Sequence, residues 1–293
     1  MDNKIFHINH AGVAIHPGDR GMEIYADRLF EAITHKKNEI KYDGSKKVKP
    51  DSNKILFIIQ KENEDHYAAC IKSIQELEMP QGMTSEILSW TQNDANANCS
   101  QLYNSIAKGN DAKYKIYLPD TTCFVYEKAL LDMVKIFESD YEIGMLGVCG
   151  AKSLPISGRW QESDTKVGSK YVLHDDGSVS EEKYSTPSDV CENVQCISQI
   201  MLATQYDIPW HELADTDCYA TAHSFEFGRQ GYKVVVPQQN ITWCLSMVHE
   251  ANSLSSIENM LREYAPYLQS KNLTMKNASL LGNCGSQVVV GDN

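Results

Sequence analysis

The amino-acid sequence predicts an α/β fold with a Rossmann-like, mostly parallel central sheet flanked by helices. Three observations lead to this prediction. Short apolar runs such as KILFIIQ, at residues 54–60, are typical of strands buried on both faces. Segments with helical periodicity separate these runs, and one of them ends at a glycine, Gly109. The strict alternation over residues 54–151 predicts βαβ units, in which successive strands run parallel.

The predicted elements follow a regular order along the chain. Strands are predicted at residues 54–60, 85–91, 113–119 and 143–151, and helices at residues 62–77, 96–109 and 127–139. A β-hairpin follows at residues 170–184, with its turn at Asp176-Gly177. Residues 192–204 are apolar again. Residues 222–237 predict a helix that ends near Gly231 and then a strand, KVVVP.

The chain divides into three predicted regions. Residues 1–50 form an N-terminal elaboration with a helical pattern at 21–35, followed by a polar, lysine-rich linker at 38–53. Residues 54–265 form the main domain. The tail, residues 266–293, mixes small and polar side chains, which predicts loose attachment.

Composition and charge limit the classes of function. The net charge of −12 argues against a nucleic-acid partner, because phosphate neutralisation needs a basic surface. We find no apolar run long enough to span a membrane and no pattern of a signal peptide. The nine cysteines are scattered and odd in number, and none is arranged as C-x-x-C. This pattern favours buried thiols and a cytoplasmic location over disulfides or a zinc site.

The common glycine-rich and nucleophile motifs are missing. KENED stands after the first predicted strand, where a dinucleotide enzyme would carry G-x-G-x-x-G. The sequence also lacks G-x-x-x-x-G-K-[ST] and the G-x-S-x-G elbow of hydrolases. The main signals for a dinucleotide oxidoreductase, a P-loop enzyme and an α/β-hydrolase are therefore absent.

Acidic residues stand where two predicted strands end. Asp94 follows the second strand and Asp120 the third. Open α/β sheets bind ligands outside the carboxyl ends of their strands, where such carboxylates could contact a ribose or hold Mg²⁺ or Mn²⁺. The alternative is that both are turn residues, since aspartate and proline are common in turns.

A second acidic segment and a late histidine complete the set of candidates. HELADTDCY, at residues 211–219, contains Glu212, Asp215 and Asp217, any of which could deprotonate an acceptor hydroxyl. The alternative is a solvated acidic loop. His249 could be a metal ligand or a partly buried structural histidine.

Four segments resemble a known family. They are QNDANANCSQLYNSIAKGNDAKYKIYLPDTTCF (92–124), GVCGAKSLPISGRW (147–160), VQCISQIMLATQYDIPW (194–210) and SFEFGRQGYKVVVPQQNITWCL (224–245). In this order they resemble the StrF-like glycosyltransferases, which are relatives of the family 2 transferases with a GT-A fold. The resemblance extends over about residues 54–265.

The resemblance implies a nucleotide-diphospho-sugar donor, an unknown acceptor, inversion at the sugar, a divalent Mn²⁺ or Mg²⁺ ion and a carboxylate base. The predicted base is Asp217, Asp215 or Glu212, and the predicted metal ligands are Asp120 and His249. The predicted donor-binding residues are Gln60, Asn63, Asp94, Tyr103, Asn104 and Lys152.

The sequence departs from the family pattern at four places. Pro119-Asp120-Thr121 replaces His-x-Asp, Cys196-Ile197-Ser198-Gln199 replaces Cys-Ile-Asp-Gly, Tyr219-Ala220 replaces Tyr-Asp, and Trp243-Cys244-Leu245-Ser246 replaces Trp-Cys-x-His. Each change removes or shifts a carboxylate or an imidazole. A transferase without a metal would need cations such as Lys152 or Arg159 to stabilise the leaving diphosphate. Two hypotheses remain: an active glycosyltransferase, or a degenerate GT-A protein that binds nucleotide-sugars or serves as a partner subunit. The oligomeric state is left open.

Overall fold

The computed structural model describes residues 52–91, 99–212, 218–248 and 253–270, with only the backbone of residues 266–270. The chain separates into two compact units, one of residues 40–264 and one of residues 1–39 and 265–293. All described strands belong to the first unit. The predicted helix at 21–35 and most of the predicted linker lie outside the described residues.

The described residues form five α-helices and thirteen strands. The helices are α1 (Glu64–Gln75), α2 (Cys99–Gly109), α3 (Ala129–Ser139), α4 (Tyr219–Arg229) and α5 (Leu254–Ser270). The strands are β1 (Lys54–Gln60), β2 (Thr84–Trp90), β3 (Tyr114–Pro119), β4 (Thr122–Phe124), β5 (Ile143–Leu146), β6 (Cys149–Ala151), β7 (Lys166–Leu173), β8 (Val179–Lys183), β9 (Cys191–Asn193), β10 (Cys196–Ile197), β11 (Leu202–Thr204), β12 (Lys233–Pro237) and β13 (Cys244–Ser246).

The main sheet is mixed, where the sequence predicted a mostly parallel one. Its strand order is β2-β1-β3-β11-β5-β12-β9. The pairs β2–β1, β1–β3 and β5–β12 are parallel. Strand β11 lies antiparallel between β3 and β5, and β9 is antiparallel to β12. The α/β class is confirmed. The direction of β11 was not predictable, because an apolar run shows burial and not polarity of the strand.

A second sheet is connected to the carboxyl ends of β3 and β5 of the first sheet. Its order is β10-β6-β7-β13-β4, and β8 pairs with β7. Strand β4 follows β3 after two residues, and β6 follows β5 after two residues. The single strand predicted at residues 143–151 is therefore two strands in two sheets. The break falls at Gly147, where a Cβ would lie 2.7 Å from the side chain of Ile197.

Burial explains why these segments form these elements. The five residues from Ile55 to Ile59 of β1 are all 0% exposed, as predicted for a strand covered on both faces. In the hairpin of β7 and β8, the His174 amide donates to the Ser178 carbonyl at 2.9 Å. Gly177 has φ 80°, so the predicted Asp-Gly turn is confirmed.

Helix α5 was not predicted from the sequence. It crosses the predicted domain boundary at residues 265–266 and contains Pro266. Three residues of its described part, Ile257, Met260 and Tyr264, are buried at a spacing of three and four. The helix is thus held by one apolar face, which short polar stretches between these positions obscured.

Two further expectations concern the described residues only. The eight cysteines among them are thiols without disulfide bonds, as predicted. Within the described part of the chain, no helix is long and apolar enough to cross a membrane.

Lys115 in β3 is a buried cation with a specific partner. It is 1% exposed, and its Nζ lies 3.0 Å from Oδ1 of Asp207 and 3.2 Å from the carbonyl of Asn110. Removing the carboxylate would leave a buried ammonium with backbone partners only. We expect Asp207→Ala to lower the free energy of unfolding by about 2 kcal/mol, because Asp207 itself is partly exposed.

Urea denaturation would measure this effect. Glu76→Ala, which removes an exposed helical pair of Glu76 with Lys72, is the matched control and should change stability by less than about 0.5 kcal/mol. Equal effects of the two substitutions would show that the Lys115 pair contributes no more than a surface pair.

Candidate active site

The carboxyl ends of β1, β2 and β3 meet at one edge of the main sheet. Gln60 is in register with both Trp90 and Pro119. Beyond these residues, the Lys61 amide donates to the Trp90 carbonyl at 2.8 Å, and the Asp120 amide donates to the Gln60 carbonyl at 3.0 Å. The structure therefore brings together Gln60, Asn63 and Asp120, three of the predicted site residues. Asp94 lies outside the described residues.

Asp120 is buried and bonded to the loop that follows β1. Asp120 is 2% exposed. Oδ2 accepts hydrogen bonds from the backbone amides of Glu62 at 2.6 Å and Asn63 at 2.7 Å. Distances this short are typical of a charged acceptor. The pKa of the neighbouring Lys61 is raised, chiefly by its hydrogen bond to Glu64 and in a minor part by the charge of Asp120.

Asn63 caps helix α1. Its Oδ1 accepts from the amides of Asp65 at 2.9 Å and His66 at 3.1 Å. Its own carbonyl accepts the first helical bond, from Tyr67 at 2.9 Å. This is the usual arrangement of an asparagine N-cap, which satisfies amides that the helix leaves without partners. The Asn63 side chain is therefore engaged with the helix, and its predicted donor contact stays a prediction.

Two other segments reach the turn of Asp120. The Thr122 hydroxyl donates to the Ile200 carbonyl at 2.9 Å, so the segment before β11 lies beside this turn. The Met247 amide donates to the Thr121 carbonyl at 2.8 Å. The chain thus arrives next to Asp120 two residues before His249, which lies outside the described residues.

The acidic loop is anchored to this edge at both of its described ends. Before the loop, the ring of Trp210 packs against Tyr117 of β3, with centroids 4.9 Å apart. After the loop, the Tyr219 hydroxyl donates to the Gln199 carbonyl at 3.0 Å, one residue before Ile200. Glu212 is exposed. Asp215 and Asp217 lie outside the described residues, and their role as the base stays a prediction.

Tyr103 and Asn104 of α2 contact Trp210, and their predicted role in donor binding stays a prediction. Tyr103 is 3% exposed, burial raises the pKa of its hydroxyl, and its ring lies 4.5 Å from that of Trp210. Asn104 makes a reciprocal pair with the backbone of Trp210: Nδ2 donates to the carbonyl at 3.0 Å and Oδ1 accepts from the amide at 2.9 Å. Both side chains therefore hold Trp210, at the start of the acidic loop.

The sequence analysis missed His223 of α4. Its ring stacks on Trp210 with centroids 3.6 Å apart and an angle of 9° between the planes. Burial lowers its pKa to about 3, and Nδ1 has no hydrogen-bond partner among the described residues. His223 is therefore a neutral ring that supports Trp210 from the second side. Its place in the apolar helix pattern was the available signal.

Lys152 lies toward the other end of β7 from the Asp120 turn. Its amide donates to the carbonyl of Thr165, just before β7, and its ammonium lies 3.0 Å from Glu192. Thr122, by contrast, is level with Ser246, which is level with Val172 near the other end of β7. Seven residues of extended strand correspond to about 23 Å. The contact of Lys152 with the donor stays a prediction.

The described residues do not fit a divalent metal ion. No group of three or more His, Cys, Asp or Glu side chains among them could hold one. Asp120 is the predicted ligand within this set, and one of its oxygens already accepts two backbone hydrogen bonds. The other predicted ligand, His249, lies outside the described residues, and Mg²⁺ in nucleotide sites takes its remaining ligands from phosphates and water. No step of the chemistry below is therefore assigned to a metal.

The fold and this edge define the class of α/β proteins that bind ligands outside their strand ends. Residues 56–264 match the model of a family described as "Glycosyltransferase like family". The match covers most of the chain, and the protein belongs to this glycosyltransferase-like family. The family match confirms the predicted class and the GT-A type of fold.

Comparison with solved structures gives distant likenesses. The chain is similar to Staphylococcus aureus TarS, with 10% identity and a TM-score of 0.48 over 78% of this chain and 42% of that one. It is similar to the mannosyltransferase PcManGT of Pyrobaculum calidifontis, crystallised with GDP-Man and Mn²⁺, with 8% identity and a TM-score of 0.43 over 90% and 87% of the two chains. GalNAc-T7 with UDP, GalNAc and Mn²⁺ has 10% identity and a TM-score of 0.44, over 73% and 49%. The chain thus spans less than half of TarS and GalNAc-T7. A comparison with curated protein sequences gave no match.

Proposed function

We propose that this protein transfers a sugar from a nucleotide-diphospho-sugar to a hydroxyl of an acceptor, with inversion at the sugar. The donor would bind at the carboxyl edge of β1, β2 and β3, beside Gln60 and the Asp120 turn. Asp217 would be the base, with Asp215 and Glu212 as the other candidates in the same loop. Within the glycosyltransferase-like family, this proposal assigns the protein to the StrF-like transferases.

One observation carries the proposal beyond the family match. Both described ends of the acidic loop contact the edge where the donor would bind. Trp210 packs on Tyr117 of β3, and Tyr219 is bonded to Gln199, next to the residue that contacts Thr122. These two contacts support the proposal that a carboxylate of this loop is the base. A solvated loop without function would not need to be fixed at both ends.

The chemistry follows from these groups. The carboxylate removes the proton of the acceptor hydroxyl while the hydroxyl oxygen attacks the anomeric carbon of the donor. The bond from this carbon to the diphosphate breaks, and the nucleoside diphosphate leaves with the bonding electrons. Lys61, a cation directly after β1, is placed nearer to this edge than Lys152 and could balance the charge of the leaving group.

Calorimetric titration with UDP, GDP and their sugars, with and without Mn²⁺, tests the proposal. We expect one nucleotide and its sugar to bind. An assay of donor hydrolysis then decides whether the bound donor is turned over. Absence of binding to all of these ligands in both conditions would contradict the proposed function.

Replacing Asp217 by asparagine removes the proposed base and keeps the size of the side chain. We expect transfer or hydrolysis of the donor to fall by about 100-fold, with the affinity for the nucleotide unchanged. Asp175→Asn, at an exposed position in the hairpin turn, is the matched control and should leave the rate unchanged. Unchanged turnover in Asp217→Asn would remove this residue from the mechanism and direct the test to Asp215 and Glu212.

A second candidate function is a degenerate transferase that binds a nucleotide-sugar without transferring it. One observation favours it. Ser198 stands where the family pattern has aspartate, and it is 0% exposed, with its hydroxyl accepting from the Cys149 thiol at 3.2 Å. The position is thus neutral and built into the core. Binding of a donor without hydrolysis or transfer to any acceptor would support this candidate.

A further inference from the structure

We propose that Asp120 is a positioning residue that holds the loop after β1 through its hydrogen bonds, and that it does not act as a metal ligand. The part of this inference that concerns donor binding rests on the proposed function. The part that concerns the loop does not.

Asp120 makes three hydrogen bonds to one short segment of the chain. Its backbone amide donates to the carbonyl of Gln60, the last residue of β1. Its Oδ2 accepts from the amides of Glu62 and Asn63, two and three residues further on. Asp120, directly after β3, thus holds both the end of β1 and the loop that follows β1.

The loop after β1 leads directly into helix α1, with Asn63 as the N-cap. The Asn63 amide donates to the Asp120 carboxylate, and the Asn63 side chain in turn accepts from the amides of Asp65 and His66. Asp120 is thereby linked through Asn63 to the start of α1. The amides at the start of α1 are therefore occupied by protein groups. In many nucleotide-binding α/β proteins such amides hold a phosphate. Here an internal carboxylate and an asparagine take that place, which also agrees with KENED standing where a glycine-rich loop would be.

Protein groups compensate the negative charge of the buried Asp120 carboxylate. A carboxylate that is 2% exposed needs compensation for the loss of water. Two short bonds from backbone amides and the positive end of the α1 dipole supply it. A bound cation is not required to explain why an aspartate is buried here. The loop Lys61–Asn63 lies at the edge where the donor would bind, so its position decides the shape of that site.

Two substitutions separate the two roles. Asp120→Asn keeps a carbonyl oxygen that can accept from both amides, but it removes the negative charge, so this oxygen binds Mn²⁺ more weakly than a carboxylate does. Asp120→Ala removes both functions. Asp175→Ala, at the exposed hairpin turn, is the control for the loss of a carboxylate. The measurements are hydrogen exchange of the Glu62 and Asn63 amides and calorimetric titration of UDP and GDP with and without Mn²⁺.

We expect Asp120→Asn to bind nucleotide within about threefold of the unmodified protein, with its dependence on Mn²⁺ unchanged and both amides still protected. Asp120→Ala should exchange these two amides about 100-fold faster and bind nucleotide about tenfold more weakly. Loss of Mn²⁺-dependent binding in Asp120→Asn, with the two amides still protected, would overturn the proposal and make Asp120 a metal ligand. Unchanged amide exchange in Asp120→Ala would overturn it as well.

The outcomes also distinguish this inference from the proposed function. If the unmodified protein binds neither nucleotide, the proposed function fails, while the exchange of the two amides still decides whether Asp120 holds the loop. If Asp120→Ala does not fold, Asp120→Asn alone decides between the two roles, because only a metal ligand would lose the dependence on Mn²⁺.

Discussion

Replacing Gly150 by alanine is expected to lower the free energy of unfolding by about 3 kcal/mol or more. Gly150 lies in the middle of β6 and is in register with Ile197 of β10. A Cβ at this position would overlap the backbone carbonyl oxygen of Cys196 and lie 3.0 Å from the Cα of Ile197. These are backbone atoms, which cannot rotate away as a flexible side chain does. The two strands would therefore have to separate.

Urea denaturation of Gly150→Ala measures this cost. Gly109→Ala is the matched control, because no heavy atom lies within 4 Å of a Cβ built at Gly109, the last residue of α2. We expect the control to stay within about 0.5 kcal/mol of the unmodified protein. A stability of Gly150→Ala within about 1 kcal/mol of the unmodified protein would show that β6 and β10 are not packed as closely as described.

The stability of the protein is expected to fall by about 3 kcal/mol between pH 6.5 and pH 4 through the single residue His223. Burial lowers its pKa from 6.5 to about 3. Between these two values the unfolded chain binds a proton at His223 and the folded chain does not, so acidification favours unfolding. The contribution is complete above pH 6.5 and is lost as the pH falls toward 3. Each pH unit within this window changes the free energy by about 1.4 kcal/mol.

His223→Phe removes the titrating group and keeps an aromatic ring against Trp210. Thermal unfolding between pH 4 and pH 7.5 should therefore depend less steeply on pH in this variant than in the unmodified protein. His174→Gln, in the hairpin outside the core, is the control for the loss of an imidazole. An equally steep pH dependence in His223→Phe would show that other groups cause the acid sensitivity.

Much of the fold could be predicted because its signals are local. Strand β1 has the predicted bounds, and the Asp-Gly turn of the hairpin lies where the sequence placed it. Four of the helices lie within a few residues of their predicted positions. Burial on two faces, helical periodicity and turn chemistry act over short stretches, so they can be read from the residues that carry them. The break at Gly147, the direction of β11 and helix α5 depend on distant parts of the chain.

The candidate site was predictable to the same limited extent. The sequence by itself placed Gln60, Asn63 and Asp120 at or just after the ends of two predicted strands, and the pairing of β1 with β3 brings these ends to one edge. Only the tertiary structure decided what these side chains and the others contact. It directed Asp120 to two amides of the β1 loop, buried Tyr103 against Trp210, bonded Asn104 to the backbone of Trp210, and placed Lys152 toward the other end of β7. The physical reason is that the positions of strands and helices along the chain follow from local patterns, whereas a side chain's partners are determined by packing and hydrogen bonding between segments that are far apart in the sequence.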